Sequence, residues 1–367
     1  MINDRPANRY LREASDVAAI LRDPDGALPG LSQRRIGNAL HLARRLGLGE
    51  RLSIEVLKNG IELDSKIQHA MESWALQGNR HLPNFRLELT ELAKELSQLD
   101  IRGVLLKGTA YGVEGHPASE GRRLGDIDLL VSVYNIDKLH QTLLSKGWQL
   151  AEDNYANAEY YREWMHEYPA LYHPSRMVVL DIHHAILPPT DRMFADPALL
   201  LADSRKIGDG RYWALSPTDQ ILHAAAHLFR NGRFQWALRD LFDIHQLIAC
   251  LPTEDPNSKL WENFASRAEQ LGLTAPLHWA LHFTREIYGD ESYSAGRDRL
   301  ERRTKPNWPI SKLFPFLVEN SISPSLWPGK EPKAHHIALW ILKHWPLPRT
   351  RAVFSKNFWL RKVGTPQ

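Results

Sequence analysis

Gly125-Asp126-Ile127-Asp128-Leu129-Leu130-Val131 places two carboxylates two positions apart inside an otherwise apolar run. Successive strand residues alternate between faces, so this spacing projects both acids from one side of a sheet. Two hard oxygen ligands so placed have the geometry of a divalent-metal clamp. Upstream, Gly103-Val104-Leu105-Leu106-Lys107-Gly108-Thr109-Ala110 reads as an apolar strand breaking into a small-residue turn. Backbone N–H groups in such a turn can approach a phosphate. Asp-x-Asp also occurs on plain solvated edges, and glycine after a strand is ordinary turn chemistry. What distinguishes this pair is the order around it: strand, glycine turn, helix, acid-bearing strand, and then a later strand carrying a third acid. That later strand is Met177-Val178-Val179-Leu180-Asp181-Ile182-His183. A carboxylate interrupting such an apolar run is costly unless a cation or hydrogen bond satisfies it. The set suggests phosphoryl or nucleotidyl transfer.

On these residues the chain resembles the polymerase-β-type nucleotidyltransferase superfamily. More narrowly it is similar to a bacterial family of uncharacterised nucleotidyltransferases. Leu105 to Ala110, Arg123 to Val131 and Leu180 to His183 carry the likeness, with Leu215 to Gln220 and Leu238 to Ile244 similar to that family's helical part. The resemblance spans roughly residues 85 to 250. Together with the apolar spacings along the chain it gives the expectation of an α+β fold: a small mixed-sheet nucleotidyltransferase core with helices on one face, flanked by N-terminal helices and a C-terminal helical bundle. One departure is that Lys107 stands where the superfamily more often has the first glycine of a pair. Either the lysine adds a phosphate contact, or this branch holds its nucleotide differently.

The implied chemistry is transfer of NMP from a nucleoside triphosphate to a hydroxyl, with release of pyrophosphate. Asp126 and Asp128 are the expected ligands of Mg²⁺ (or Mn²⁺) bridging the triphosphate. Asp181 is expected to complete a second metal site and accept the proton of the attacking hydroxyl. Lys107, Gly108 and Thr109 are the expected nucleotide-binding turn, with Arg122 or Arg123 neutralising the leaving pyrophosphate. His183 shares a strand face with Asp181, and is a candidate for orienting substrate or tuning that acid.

Composition bounds the rest. At 367 residues, 43% hydrophobic and 24% charged, the chain is of globular type and exceeds what one core usually organises. Three regions are expected: N-terminal helices over 1–99, the catalytic core over 100–215, and a helical C-terminal region over 216–367. One cysteine, Cys250, excludes an internal disulfide framework. Met1 to Pro6 lacks a signal-peptide pattern and no run is long and apolar enough to span a membrane, so a cytoplasmic location is expected. The net charge of +3 does not by itself imply a nucleic-acid partner.

Residues 330–367 concentrate basic side chains among Trp340, Trp345, Phe354, Phe358 and Trp359. Such a tail can track a phosphate backbone, lie on an anionic membrane, or pack its aromatics inward. RNA is therefore one possible acceptor, as in a tRNA-modifying toxin-like transferase, beside a small molecule or a protein hydroxyl. A non-catalytic nucleotide- or partner-binding relative is the competing class.

Along the chain, Ala14 to Gln98 reads as helical, with Leu87, Leu89, Leu92 and Leu96 as apolar spacings. Strands are expected at Ile101 to Leu106 and Ile127 to Val131, with helices at Thr109 to Glu114 and Ile136 to Lys146. Tyr168 to His173 and Met177 to His183 read as an antiparallel pair joined at Pro174-Ser175. Ser216-Pro217-Thr218-Asp219 opens a helix expected to reach about Arg230. Further helices follow at 234–249, 259–271 and 275–288, and then a proline-punctuated connector. His223 and His227 lie four apart but lack the glutamate of a zinc-protease helix, which favours a packed or surface pair. Neither a Walker-type loop nor a protein-kinase motif set is found.

Overall fold

The computed structural model describes residues 6–60, 62–151, 158–176, 178–191, 193, 195–231, 236–251, 259–289 and 295–306. The proline-rich connector from 307 onward and the basic aromatic tail at 330–367 lie outside the described residues.

The N-terminal region is helical, as its spacing predicts: α1 (Pro6–Arg22), α2 (Pro24–Ala27), α3 (Gln33–Arg45), α4 (Gly49–Lys58) and α5 (Ser65–Gln98). Side-chain caps start three of them, with Asp23, Ser32 and Asp64 each accepting from a first-turn N–H. Leu89, Leu92 and Leu96 face the core, but Leu87 is 63% exposed. Two residues is about 200° of helical rotation, so Leu87 falls on the opposite side from Leu89.

The middle of the chain alternates β1 (Val104–Leu105), α6 (Lys107–Glu114), β2 (Ile127–Leu130), α7 (Ile136–Ser145), β3 (Gln149–Leu150), α8 (Ala158–Trp164), β4 (Leu171–His173), β5 (Val178–His183), α9 (Pro197–Ala202), β6 (Arg205–Ile207) and β7 (Tyr212–Ala214). The strands form one mixed sheet in the order β3-β4-β5-β2-β1-β7-β6. Strand β2 runs parallel to β5 and antiparallel to β1, while β1 runs parallel to β7. The expected hairpin is present, with β4 and β5 paired through Leu171–Leu180 and His173–Val178. The short strands β3, β6 and β7 were not anticipated, because two or three residues are too short to show a period of two. Helix α7 ends before Gly147, which takes φ +94°.

The described C-terminal part holds α10 (Pro217–Ala226), α11 (Ala237–Ala249), α12 (Leu260–Gln270), α13 (Thr274–Tyr288) and α14 (Ala295–Thr304). The Ser216 hydroxyl accepts from Asp219 N–H to start α10, with proline at the first helical position. Where the sequence suggests that α10 continues to Arg230, a π-helical turn over His227–Asn231 takes over. Such turns re-aim side chains and are frequent at functional sites.

The fold class is α+β, as expected. Buried apolar residues from Val17 to Leu300 form a single cluster, so N-terminal helices, sheet and C-terminal helices share one core. Helix α1 packs directly on α13. No described helix is long and apolar enough to cross a membrane.

Candidate functional site

The register of the two central strands builds the site. In the parallel ladder Asp128 is the Cα partner of Asp181, and Leu130 that of His183. Partners across a ladder share a face, and so do residues two apart on one strand. Asp126, Asp128, Asp181 and His183 therefore project together, and all four line a cavity of about 490 Å³. Lys107, Gly108, Thr109, Arg122 and Arg123 line the same cavity. Every site residue expected from sequence is thus brought to one place.

The three acids differ in what satisfies them. Lys107 Nζ donates to Asp128 Oδ1 at 2.9 Å, and His183 Nε2 meets the same oxygen at 3.0 Å. Burial opposes ionisation of Asp128, but Lys107 and His183 outweigh it and hold the carboxyl well below its usual range. Burial likewise works against the Lys107 charge, and the carboxylate of Asp128 more than offsets this, so the ammonium is retained. Asp126 and Asp181 have no side-chain hydrogen bond or ion pair among the described residues. Burial and then repulsion from Asp128 raise Asp126. Burial, followed by Asp128 and Asp126, pushes Asp181 up to about 7.

Helix α6 delivers the phosphate-facing turn. Its N-cap Leu106 supplies no side-chain cap, so first-turn N–H groups remain open. Lys107 itself takes φ +48°, a left-handed conformation unusual for a side-chain-bearing residue. That twist opens the helix while aiming the ammonium at Asp128. The Thr109 hydroxyl donates to Asp126 O at 3.2 Å, pinning the two halves of the motif together. With its one proton so used, Thr109 offers the cavity its backbone N–H rather than its hydroxyl.

The two arginines have different surroundings. Arg122 Nε donates to Asp243 Oδ2 at 2.6 Å, and Arg51 NH1 holds the other oxygen at 3.0 Å. The Arg122 guanidinium lies over Gly108, where an added Cβ would come within 2.7 Å of Cζ and 2.8 Å of Leu124 Cδ2. Glycine is needed there because the arginine packs against backbone. Arg123 is exposed and makes no hydrogen bond or ion pair among the described residues. It is the freer cation for an incoming anion.

Sequence reasoning missed much of the remaining wall. Asp243, Arg239 and Asp240 reach the cavity from α11, with Trp236 just ahead of them. Their only sequence signal was the likeness of Leu238 to Ile244 to the family's helical part. His223 and His227 also line the cavity from the end of α10 and its π turn. Burial first, then the Lys107 charge, hold both imidazoles well below their ordinary range, consistent with a packed pair.

His166 and Glu167 went unnoticed as well. Glu167 forms an isolated antiparallel bridge with His183, and the N–H groups of His184 and Ala185 donate to His166 O. This backbone pairing brings His166 beside the end of β5. Glu167 Oε2 lies 3.4 Å from His183 Nδ1 and 3.5 Å from His166 Nε2. Burial lowers His166 to about 4.

Residues suited to hold a divalent cation are therefore present. Asp126 and Asp181 are half-buried carboxylates with no hydrogen bond or ion pair among the described residues, both beside Asp128, and such crowding is relieved by a hard cation. Residues 32–289 match the family model described as "Uncharacterised nucleotidyltransferase". That span extends beyond the likeness seen in the sequence at both ends. No curated protein matches the chain.

Proposed function

Because the chain belongs to the uncharacterised nucleotidyltransferase family, we propose that it transfers a nucleoside monophosphate from a nucleoside triphosphate to a hydroxyl, releasing pyrophosphate, in a reaction that depends on Mg²⁺ or Mn²⁺. The observation that carries this reading is the Asp128–Asp181 register, which sets three carboxylates beside the open start of α6. Asp126, Asp128 and Asp181 would hold the cation, which when bound neutralises phosphate charge and orients the triphosphate.

The chain's own groups divide the remaining work. The N–H groups of Gly108 and Thr109 face the β- and γ-phosphates, where the helix start favours negative charge. Asp181, on the cavity wall beside the other two acids, is placed to take the acceptor proton. The acceptor oxygen then bonds to the α-phosphorus while the bond from that phosphorus to the leaving oxygen breaks, and pyrophosphate departs. Arg123 is placed to meet its charge, while Arg122 keeps the turn in shape through Asp243. Lys107, held by Asp128, keeps that acid ionised and becomes available to phosphate when a cation takes its place.

One observation favours a second reading. Lys107 and His183 already satisfy Asp128 by hydrogen bonding, as in a nucleotide-binding relative that performs no transfer. The test is incubation with Mg²⁺, each radiolabelled triphosphate, and fractions of cell extract separated into small molecules, RNA and protein. Pyrophosphate release with label appearing in one fraction supports transfer and identifies the acceptor class. Saturable triphosphate binding without release supports the binding module.

A further inference from the structure

Beside the acidic triad sits a second donor set of different chemistry. We infer that His166, Glu167 and His183 form a binding site for a borderline first-row cation of the Zn²⁺ type, distinct from the all-oxygen site of Asp126, Asp128 and Asp181. One ligand atom from each of the three residues lies within 4.8 Å of the others. Two of the three separations, 3.4 Å from Glu167 Oε2 to His183 Nδ1 and 3.5 Å to His166 Nε2, suit a tetrahedral set. Ligands bound at about 2.0–2.2 Å in that geometry stand roughly 3.3–3.6 Å apart. Two imidazoles with one carboxylate select Zn²⁺ and its neighbours over Mg²⁺, which prefers oxygen alone.

An independent observation concerns His183. The residue is 3% exposed, yet its Nδ1 has no hydrogen-bond partner among the described residues. Its Nε2 meets Asp128 Oδ1 at 3.0 Å. A carboxylate taking the proton of one ring nitrogen leaves the other as a lone pair in a fixed direction, and metal-bound histidines are commonly oriented in this way. Glu167 Oε2 stands 3.4 Å from that nitrogen, and the His166 ring is its neighbour.

The support is rigid. His183 ends β5, Glu167 pairs with it through a backbone bridge, and His166 O accepts two N–H bonds from the next turn. The rings of His166 and His183 stand 5.7 Å apart on either side of the carboxylate. All three residues line the cavity, so three protein ligands would leave a fourth position facing it, the open arrangement of catalytic rather than structural zinc. Asp128 links the two sites, since its Oδ1 orients His183 while its side chain belongs to the triad. The inference does not rest on nucleotidyl transfer.

The test uses untagged full-length protein carrying Cys250→Ala, which removes the one thiol of the chain. After chelator treatment the protein is loaded with Zn²⁺, desalted and assayed for bound metal, and Co²⁺ loading is followed by visible absorption. The expected result is one retained equivalent and an intense low-symmetry Co²⁺ spectrum. Glu167→Gln and His166→Ala weaken binding by at least about tenfold, whereas Asp126→Asn leaves it unchanged. Glu167 is partly exposed to the cavity, so its variant reports on binding even if His166→Ala fails to fold. No retained zinc, retention unaffected by Glu167→Gln, or loss with Asp126→Asn alone would overturn the assignment. Pyrophosphate release enters none of these readouts, so failure of this site and failure of the transfer reading are separable.

Discussion

Asp128 and Asp181 are register partners across the parallel strands β2 and β5, so two carboxylates more than fifty positions apart in the chain stand side by side on one face of the sheet. A shift of one residue in either strand would send one of them to the other face. This register is a cost to the metal-free fold, because burial and the neighbouring Asp128 and Asp126 disfavour the Asp181 charge more than His183 favours it. Its raised pKa fixes the sign. An acid whose folded pKa lies near 7 against about 3.9 unfolded binds a proton more readily when folded. Stability therefore falls as pH rises between those values, and the cost is full above 7. Asp181→Asn is expected to stabilise the metal-free protein by roughly 1–3 kcal/mol at pH 8, and by little at pH 4. Urea unfolding at the two pH values checks this.

Gly108 and Arg122 form a second coupled pair. Gly108→Ala should cost about 1–3 kcal/mol, because the new methyl meets the buried guanidinium and Leu124. In an Arg122→Ala background the same change should cost clearly less, since the arginine is gone. A double-mutant cycle measures the difference, and additive costs would remove the packing explanation.

Asp243 holds two buried cations at once. Arg51 and Asp243 are each 3% exposed, and Arg51 also donates to Glu120 O at 2.8 Å and to Ala118 O. Asp243→Asn leaves Arg51 without a counter-charge and removes the carboxylate that Arg122 donates to, with an expected loss of about 3–5 kcal/mol. Because Arg122 shapes the Gly108 turn, triphosphate affinity should fall with it. A thermal melt and a triphosphate titration on the same variant read both effects.

The parts of this account that were legible in the sequence are those with local period. Asp126-Ile127-Asp128 and the apolar run around Asp181 announced a strand face, and the Lys107-Gly108-Thr109 turn announced a helix start. The α4 contribution, in contrast, came from far away: Arg51 and Asp243 are separated by 192 positions, and neither stands in a pattern that spacing reveals. His166 and Glu167 precede β4 in a stretch with no alternation, and only their pairing with His183 gives them a role. The lysine in place of glycine was visible, but its aim at Asp128 follows from a positive φ that no spacing predicts. Strands of two or three residues, such as β7, owe their existence to a neighbour rather than to their own sequence.

The most direct measurement is the rate of pyrophosphate release from a triphosphate and Mg²⁺, with the identified acceptor, for wild type and for Asp126→Asn, Asp128→Asn and Asp181→Asn. Convergence of the three acids on one cation predicts that each variant, folded by circular dichroism, loses at least about a hundredfold in rate. A folded variant of any of the three that stays within about tenfold of wild type would contradict it.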